Sequence, residues 1–327
     1  MRIRRSTLKD SGRGQYFHVT SRVVERRFIF GEREKEYFLR IIRQYEGFTG
    51  VQVMSYCLMS NHFHLLIHVP GRPESIPEDE VIRRMRCLYK KEQIEEFRER
   101  LEEFNNDIHQ RFREEMLDKV RVRMYDLSHF VRELKLRFSK YYNSLNDRKG
   151  TLWEERFKCS LIEGDPNALM NTAAYIELNP VRAGIVDDPK DYRWCSYTES
   201  IAGGKSARMG IIHLASGRNA PLKYKEAMAR YRQFFMYKSQ SQQGSRRSMT
   251  KVSGSIESGS GSRFLSKTEA IFVKVRYFLD GVVLGSREFI EDWHKRNLSV
   301  LNASRKKISS PIQDPHMEGL HTYRKVE

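Results

Sequence analysis

Two histidines one residue apart stand in an apolar stretch of the N-terminal half. His62 and His64 belong to the run Asn-His-Phe-His-Leu-Leu-Ile-His over residues 61–68. Such a run, bounded by Ser-Asn and Pro-Gly, predicts a short buried strand. Because side chains alternate along a strand, both imidazoles point to one face, about 7 Å apart, where they can bind one divalent cation or one phosphate. The same pair also arises by chance in structural roles, so the spacing alone leaves both interpretations open.

A tyrosine and an asparagine share one face of a predicted helix further along the chain. Asp165 is a suitable N-cap with Pro166 at the first helical position, and the helix should stop where Asn179 precedes Pro180. Tyr175 lies four residues before Asn179, which places both side chains on the same face. Taken by itself, Tyr175 is one of 16 tyrosines and is typical of a packed interface residue.

Cations and aromatic residues alternate between these two segments. The run 150–158, Gly-Thr-Leu-Trp-Glu-Glu-Arg-Phe-Lys, predicts an extended segment with Trp153 and Phe157 on one face and Arg156 and Lys158 on the other. Two cations at this spacing match a nucleic-acid backbone. They match an ordinary solvent face equally well.

The charge balance points to a polyanionic partner. The chain of 327 residues has 59 Lys plus Arg against 42 Asp plus Glu, a net charge of +17. Nucleic acid is favoured over a membrane, because there is no run of 18 apolar residues and no apolar region of a signal peptide. The 4 cysteines form no C-x-x-C pair, which indicates reduced thiols in a cytoplasmic protein and argues against a zinc knuckle.

The elements that must position the histidines follow from apolar periodicity. A strand is predicted over 15–24, with Phe17 and Val19 opposite His18 and Thr20. A helix over 32–48 and strands over 51–59 and 61–69 follow. This order is the first half of a ferredoxin-like α+β arrangement, with the histidine pair inside the sheet.

The remaining segments predict helices and linkers around that domain. The charged region 77–125 reads as an inserted amphipathic helix or helical hairpin, and a second helix is predicted over 128–143. Two helices separated by a glycine-bounded turn at 281–285 form either a DNA reader or an element docked on the main domain. The predicted organisation is a domain over 1–200, a helical extension over 201–237, a flexible linker over 238–262, a small helical appendage over 263–302 and a disordered tail over 303–327.

Three blocks of sequence resemble those of one family, in the same order. They are residues 56–67 (Tyr-Cys-Leu-Met-Ser-Asn-His-Phe-His-Leu-Leu-Ile), 150–158, and 174–186 (Ala-Tyr-Ile-Glu-Leu-Asn-Pro-Val-Arg-Ala-Gly-Ile-Val). The family is that of the HUH single-tyrosine transposases, and the blocks look most like its REP-associated tyrosine transposase branch. The resemblance covers roughly residues 10–200 and implies the ferredoxin-like antiparallel sheet of the HUH nuclease fold.

The resemblance also implies roles for the residues singled out above. His62 and His64 would bind a divalent metal, Mg²⁺ or Mn²⁺, and Asn179 would complete the metal site, although some relatives carry Gln there. Tyr175, facing a phosphate groove, would attack the DNA backbone and form a 5′-phosphotyrosine intermediate. The implied activity is nicking and strand transfer of single-stranded DNA beside hairpin, palindromic or REP-like elements.

Other residues are assigned to DNA binding or left outside the site. Arg156 and Lys158 would hold backbone phosphates, while Tyr141 and Tyr142 would stack on bases. His18 is interpreted as structural, and His68 as beyond the reach of the same metal. The expected protein is a cytoplasmic, nucleoid-associated monomer or homodimer. The alternatives are a DNA-binding regulator on the same scaffold that does not cut and, third, an RNA-binding protein.

Overall fold

The structure is a computed structural model. It describes residues 14–104, 110–217, 220–234, 281–299, 301, 308–312 and 319–324. The predicted linker over 238–262 and the first helix predicted for the appendage lie outside these residues.

A four-stranded antiparallel core carries the histidine pair. Its order is β2-β3-β1-β4, and α1 and α5 connect β1 to β2 and β3 to β4, which is the ferredoxin-like βαββαβ arrangement. The predicted α+β class is therefore confirmed. The core strands are β1 (Gln15–Arg22), β2 (Gln52–Leu58), β3 (His62–Val69) and β4 (Lys158–Ile162). The helices are α1 (Glu32–Thr49), α2 (Glu78–Met85), α3 (Lys91–Glu103), α4 (Gln110–Arg121), α5 (Leu127–Leu145), α6 (Pro166–Glu177), α7 (Asn179–Arg182), α8 (Ser196–Ile201), α9 (Lys205–Ser216), α10 (224–234) and α11 (Arg287–Arg296).

The alternation of apolar and polar residues gives the sheet two different faces. On one face Phe63 of β3 packs on Phe38 of α1, with ring centroids 4.9 Å apart, and Phe38 contacts Phe138 of α5 at 5.3 Å. These rings are fully buried and form the main core. The opposite face carries the histidines and is covered by α6, where Tyr175 contacts His64. The site therefore lies between the sheet and α6, on the side away from α1 and α5.

The C-terminal part of the chain extends this sheet. Strand β5 (Gly281–Gly285) pairs in parallel with β4, and β7 (His321–Arg324) and β6 (Ser310–Pro311) follow, giving a seven-stranded sheet in the described part of the chain. The predicted turn at 281–285 is wrong, because Val283 and Leu284 are buried against β4. The predicted disorder over 303–327 does not hold for β6 and β7. The described part of the appendage thus docks on the main domain.

The inserted region forms three helices, α2, α3 and α4. Arg113 of α4 forms an ion pair with Glu78 of α2 at 2.5 Å and donates from Nε to the carbonyl of Leu101 in α3. Phe104 and Phe112, at the facing ends of α3 and α4, have ring centroids 6.1 Å apart. These contacts match the helical-hairpin alternative rather than one long helix. None of the described helices combines the length and apolarity needed to span a membrane.

Candidate nuclease site

Strand register aligns polar side chains in rows across the sheet. In the antiparallel pairing of β1 with β3, Thr20 lies opposite His64 and Arg22 lies opposite His62. Thr20 also lies opposite Lys158 in the pairing of β1 with β4. Paired residues share a face, so the two imidazoles and the Lys158 ammonium group occupy the same side of the sheet. His64 is buried, whereas His62 is half-buried at the rim.

Neighbouring side chains hold the two imidazoles in defined orientations. His62 Nδ1 lies 2.6 Å from Asn61 Oδ1, so Nδ1–H donates and Nε2 keeps its lone pair. His64 Nδ1 lies 3.0 Å from His18 Nε2, and these two rings are stacked at 5.2 Å. The rings of His62 and His64 are 5.0 Å apart and nearly perpendicular. In metal-binding histidines, the ring nitrogen that does not bind the metal usually makes a hydrogen bond of this kind, which orients the ring.

Burial keeps both imidazoles neutral at neutral pH. Desolvation, with smaller contributions from Arg22 and Arg182, lowers the pKa of His62 to about 4. Desolvation and the neighbouring histidines also lower the pKa of His64 well below 6.5. Neutral imidazole is the form that binds a metal ion, so the electrostatics of the pair suit that role.

The tyrosine predicted on α6 lies against the histidines. Asp165 caps α6 by accepting a hydrogen bond from the backbone N–H of Asn167 at 2.8 Å, as predicted. The Tyr175 ring meets the rings of His18 and His64 edge-on, at 5.7 Å from each. Tyr175 is only 2% exposed, so the prediction that it faces an open groove is wrong. The cause is the close packing of α6 on the sheet.

The predicted third metal ligand is occupied with the end of α6. Asn179 Nδ2 donates to the carbonyls of Tyr175 and Ile176, both at 3.1 Å, which caps the helix C-terminus. Its Oδ1 is the atom that this arrangement leaves for a metal. Among the described residues there is no group of three or more His, Cys, Asp and Glu side chains that could hold a metal ion. The donor set is therefore two imidazoles and, at most, one amide oxygen.

Two arginines that sequence reasoning missed flank the same site. Arg182 of α7 lies over the Tyr175 ring, with its guanidinium carbon 4.0 Å from the ring centroid, and its Nη2 donates to the Tyr175 carbonyl. Arg22 lies opposite His62. Desolvation raises the pKa of the Tyr175 phenol, and both arginines oppose that rise. The spacing of seven residues from Tyr175 to Arg182 puts both on one helical face, but Pro180 obscured this signal.

The two predicted phosphate-binding cations lie in different surroundings. Lys158 begins β4, is exposed, and shares the row of Thr20 and His64. Arg156 lies in a bend over 154–156, so the extended segment predicted there is wrong at these residues. Trp153 and Phe157 are buried and Arg156 and Lys158 are exposed, as the alternation predicts, but Glu155 is exposed too. The bend arises where the backbone N–H of Glu154 donates to the Arg22 carbonyl at 3.0 Å.

Arg156 also borders an open basic groove on the surface. The groove has a volume of about 910 Å³. Its cationic side chains outnumber its two carboxylates, which are those of Asp126 and Glu133. The basic groove is lined by the cations Arg123, Arg132, Lys135 and Arg156.

The two tyrosines predicted to stack on bases lie on the other side of the sheet. Tyr141 of α5 already stacks on Tyr37 of α1, with ring centroids 3.7 Å apart and planes within 5°. Tyr142 packs beside Phe138 at 6.3 Å. Because α5 covers the face opposite the histidines, the structure does not bring these tyrosines to the histidine pair. Their role in base stacking stays a prediction.

A buried carboxylate fixes the position of α6. Glu177 accepts hydrogen bonds from the hydroxyls of Ser196 (2.5 Å), Ser55 (3.2 Å) and Tyr231 (3.0 Å), which belong to α8, β2 and α10. Desolvation raises the pKa of Glu177 to about 7, although these hydrogen bonds oppose the rise. The residue lies two positions after Tyr175, and nothing in the local sequence indicated its burial.

His68 belongs to a separate group, as predicted. Its ring stacks on Tyr16 at 4.6 Å and lies 5.4 Å from His213 of α9. Tyr16 Oη is 2.6 Å from His213 Nε2. This group lies at the far end of β1 and β3 from His62.

Comparison with known proteins finds a family model that the N-terminal part of the chain matches. Residues 13–104 match the family model described as "Transposase IS200 like". A solved structure of a REP-associated tyrosine transposase bound to a REP hairpin is 15% identical, covering 62% of this chain and 87% of that one with a TM-score of 0.38. No curated protein matches the chain. The matched stretch includes both histidines of the pair. The likeness to IS200-like transposases therefore holds for residues 13–104, the N-terminal part of the chain.

Proposed function

We propose that the protein is a metal-dependent single-strand DNA endonuclease and strand transferase that uses Tyr175 as its nucleophile. The observation that carries this proposal is the position of the Tyr175 ring, 5.7 Å from His64 and on the sheet face shared with His62. A phenol beside two oriented, neutral imidazoles combines a nucleophile with donors for a divalent ion.

The donor atoms present fit a divalent metal in part. The Nε2 atoms of His62 and His64 would hold the ion, because the Nδ1 atoms already make hydrogen bonds. His62 Nδ1 is hydrogen-bonded to Asn61, and His64 Nδ1 to His18. Asn179 Oδ1 would be a third donor, with the remaining positions taken by water and phosphate oxygens. A bound Mg²⁺ or Mn²⁺ would polarise the scissile phosphate and offset the charge that develops on it.

The covalent step follows from the chemistry of the phenol. Tyr175 Oη forms a bond to phosphorus while the bond from phosphorus to the 3′ oxygen breaks. The phenol loses one proton and the departing 3′ hydroxyl gains one, so the protons balance. The new phosphotyrosine ester keeps the energy of the phosphodiester, and attack by another 3′ hydroxyl rejoins the DNA without ATP. Burial raises the pKa of Tyr175, so the nearby cations matter for reaching the phenolate.

Positively charged residues near the histidine pair and over the whole chain support DNA as the substrate. Lys158 lies in the same row as His64, and Arg156 borders the basic groove. Together with a net charge of +17, these cations suit the backbone of a nucleic acid. The proposed substrate is single-stranded DNA next to a hairpin or REP-like element, and the location proposed with it is the nucleoid in the cytoplasm.

One observation favours a second function, that of a DNA-binding regulator that does not cut. Tyr175 is 2% exposed and lies under the Arg182 guanidinium. A phosphate reaches the phenol only if Arg182 or α6 shifts. A protein whose α6 stays closed would bind DNA and leave it intact.

An adduct assay separates the two functions. The protein is incubated with end-labelled, hairpin-flanked single-stranded DNA in Mg²⁺, Mn²⁺ or EDTA, and the products are run on a denaturing gel. The nuclease predicts a labelled band at the mass of protein plus DNA, present with metal and absent with EDTA. Tight binding without any adduct in either metal identifies the regulator.

A further inference from the structure

Arg182 has an unusual environment for a charged side chain. Its Nη2 donates to the Tyr175 carbonyl and its guanidinium lies over the Tyr175 ring. Its Nη1 is buried and has no hydrogen-bond partner among the described residues. Desolvation lowers the pKa of Arg182. A buried guanidinium N–H without an acceptor is costly, so an absent acceptor is expected at this position.

Arg22 lies at the same site without an acidic partner. It is half-buried and lies opposite His62 in the pairing of β1 with β3. Arg182 lies over the Tyr175 ring, which meets His64 edge-on, so Arg22 and Arg182 border the same histidine pair. Within the stretches that the structure describes, no carboxylate forms an ion pair with either of them.

Two other half-buried arginines, Arg43 and Arg121, are paired with carboxylates. Arg43 pairs with Glu46 and Glu199, both at 2.5 Å. Arg121 pairs with Glu114 at 2.6 Å. Such pairing is the usual way to hold a guanidinium away from bulk water. The two arginines at the site have no such carboxylate among the described residues, and they lie where the proposed function expects a substrate phosphate.

We infer that Arg182 and Arg22 form a clamp for the non-bridging oxygens of the scissile phosphate. The inference rests on the proposed function for its substrate, and it adds two phosphate-binding residues to the histidine pair. Arg182 Nη1 would donate to one oxygen while Nη2 stays on the Tyr175 carbonyl, which ties the phosphate to the nucleophile's own helix. Planar guanidinium groups suit this recognition, since they present several N–H donors to a phosphate.

A purely structural role for Arg182 is the competing explanation. A cation near the C-terminal end of α6 stabilises exposed carbonyls and the helix dipole, and its stacking on Tyr175 adds to that. This role accounts for Nη2 but leaves Nη1 without a partner. It also gives Arg22 no function. The two explanations differ in whether the effect of removing the arginine depends on the charge of one phosphate.

Neutralising single phosphates tests the clamp directly, first by binding. A hairpin-flanked oligonucleotide is prepared with one neutral methylphosphonate at each position in turn, and its affinity is measured for the wild type, Arg182→Ala, Arg22→Ala and Arg193→Ala. Arg193 is an exposed control that pairs with Glu36 at 3.0 Å. The clamp predicts one position where neutralisation weakens wild-type and Arg193→Ala binding about tenfold and has under a threefold effect in Arg182→Ala. Equal losses in all proteins at every position overturn the inference, whether or not the wild type cleaves.

The rate of adduct formation gives the second readout. On normal DNA, Arg182→Ala should slow single-turnover adduct formation about 100-fold and Arg22→Ala about tenfold, because each removes a donor to the reacting phosphate. With methylphosphonate at the cleaved position, these defects should shrink to less than about fivefold. Arg182→Lys keeps the positive charge but loses the planar guanidinium group, so its rate of adduct formation should lie between those of the wild type and Arg182→Ala. An equal slowing on both substrates would mean that Arg182 affects the rate only by stabilising the folded protein. The melting temperature of each variant measures that stability. If the wild type forms no adduct, the proposed nuclease function is rejected. The binding experiment then decides alone whether the two arginines hold a phosphate.

Discussion

His18 Nε2 lies 3.0 Å from His64 Nδ1, on adjacent strands, with the two rings stacked in parallel planes. The contact occupies His64 Nδ1 and leaves Nε2 as the ring nitrogen that could bind a metal ion. His18 is 1% exposed, and the sequence indicated only a structural histidine there. The structure shows that it is structural in a specific sense, because it sets the orientation of a proposed metal ligand.

Substituting His18 should weaken metal binding without removing a ligand. His18→Ala frees the His64 ring to rotate, and loss of such a supporting hydrogen bond lowers metal affinity about 10- to 100-fold. The check is titration of Mn²⁺ by calorimetry and the Mn²⁺ concentration needed for half-maximal adduct formation. His18→Gln, which can still hydrogen-bond His64, should lie closer to the wild type. An unchanged metal requirement in His18→Ala would reject this role.

The two proposed ligands should differ in their effect on folding. His62 is half-buried, so His62→Ala should change the free energy of unfolding by less than about 1 kcal/mol. His64 is buried and bonded to His18, so His64→Ala should cost about 2–3 kcal/mol through the cavity and the unpaired His18 nitrogen.

Both substitutions should abolish metal-dependent cleavage, whereas His68→Ala, on the same strand face but in another group, should not. Chemical denaturation and the adduct gel give the two measurements. If metal-dependent cleavage survives in both His62→Ala and His64→Ala, the histidine pair does not hold the metal ion that cleavage needs.

The first half of the fold could be predicted from local patterns, since its signals are short-range. Strand β1, helix α1 and the β2–β3 hairpin lie within a few residues of their predicted bounds, because each has clear periodicity and a glycine or turn at its end. Strand β5 could not be predicted. Its five residues, Gly-Val-Val-Leu-Gly, read as a turn between helices, and only parallel pairing with the distant β4 makes them a strand.

The site was predicted in part for the same reason. The shared face of His62 and His64 follows from strand geometry, which the sequence carries. The burial of Tyr175 and the contact of His18 with His64 depend on how α6 and β1 pack, which no local pattern encodes. Arg182 escaped notice because Pro180 predicted the end of the helix, yet α7 begins at Asn179 and contains Pro180.

Glu177 should make the protein less stable as pH rises from acid to neutral. Its pKa is raised from 4.5 to about 7, so between these values the folded state keeps a proton that the unfolded chain releases. The free energy of unfolding should therefore fall by about 3 kcal/mol from pH 4.5 to pH 7 through this group and then level off.

Glu177→Gln removes the titrating group; its amide oxygen can still accept from the Ser196 hydroxyl, and its NH2 group can donate to the Tyr231 hydroxyl oxygen. The variant should lose this part of the pH dependence and be the more stable protein at pH 8. Urea unfolding of both proteins at pH 5 and pH 8 measures it. Parallel pH profiles would show that the carboxylate is ionised throughout.

Reversing the charge of the predicted phosphate-binding cations should weaken DNA binding without affecting sequence preference. Arg156→Glu and Lys158→Glu each remove a phosphate contact, so log affinity should depend less steeply on log salt, by roughly one unit of slope per contact. Arg111→Glu, on the exposed surface of α4, is the matched charge reversal. Filter binding from low to moderate salt measures the slopes. If Arg111→Glu reduces the slope as much as the other two, the effect reflects net charge only.

Mass spectrometry of the protein–DNA adduct tests the central claim most directly. The adduct is formed with wild-type protein, digested with nuclease and protease, and searched for the peptide that carries the residual nucleotide. We predict the modification on Tyr175, and no adduct or cleavage in Tyr175→Phe, which keeps the ring against His18 and His64 but has no oxygen to attack phosphorus. Modification of Tyr141 or Tyr142, or full cleavage by Tyr175→Phe, would contradict the assignment.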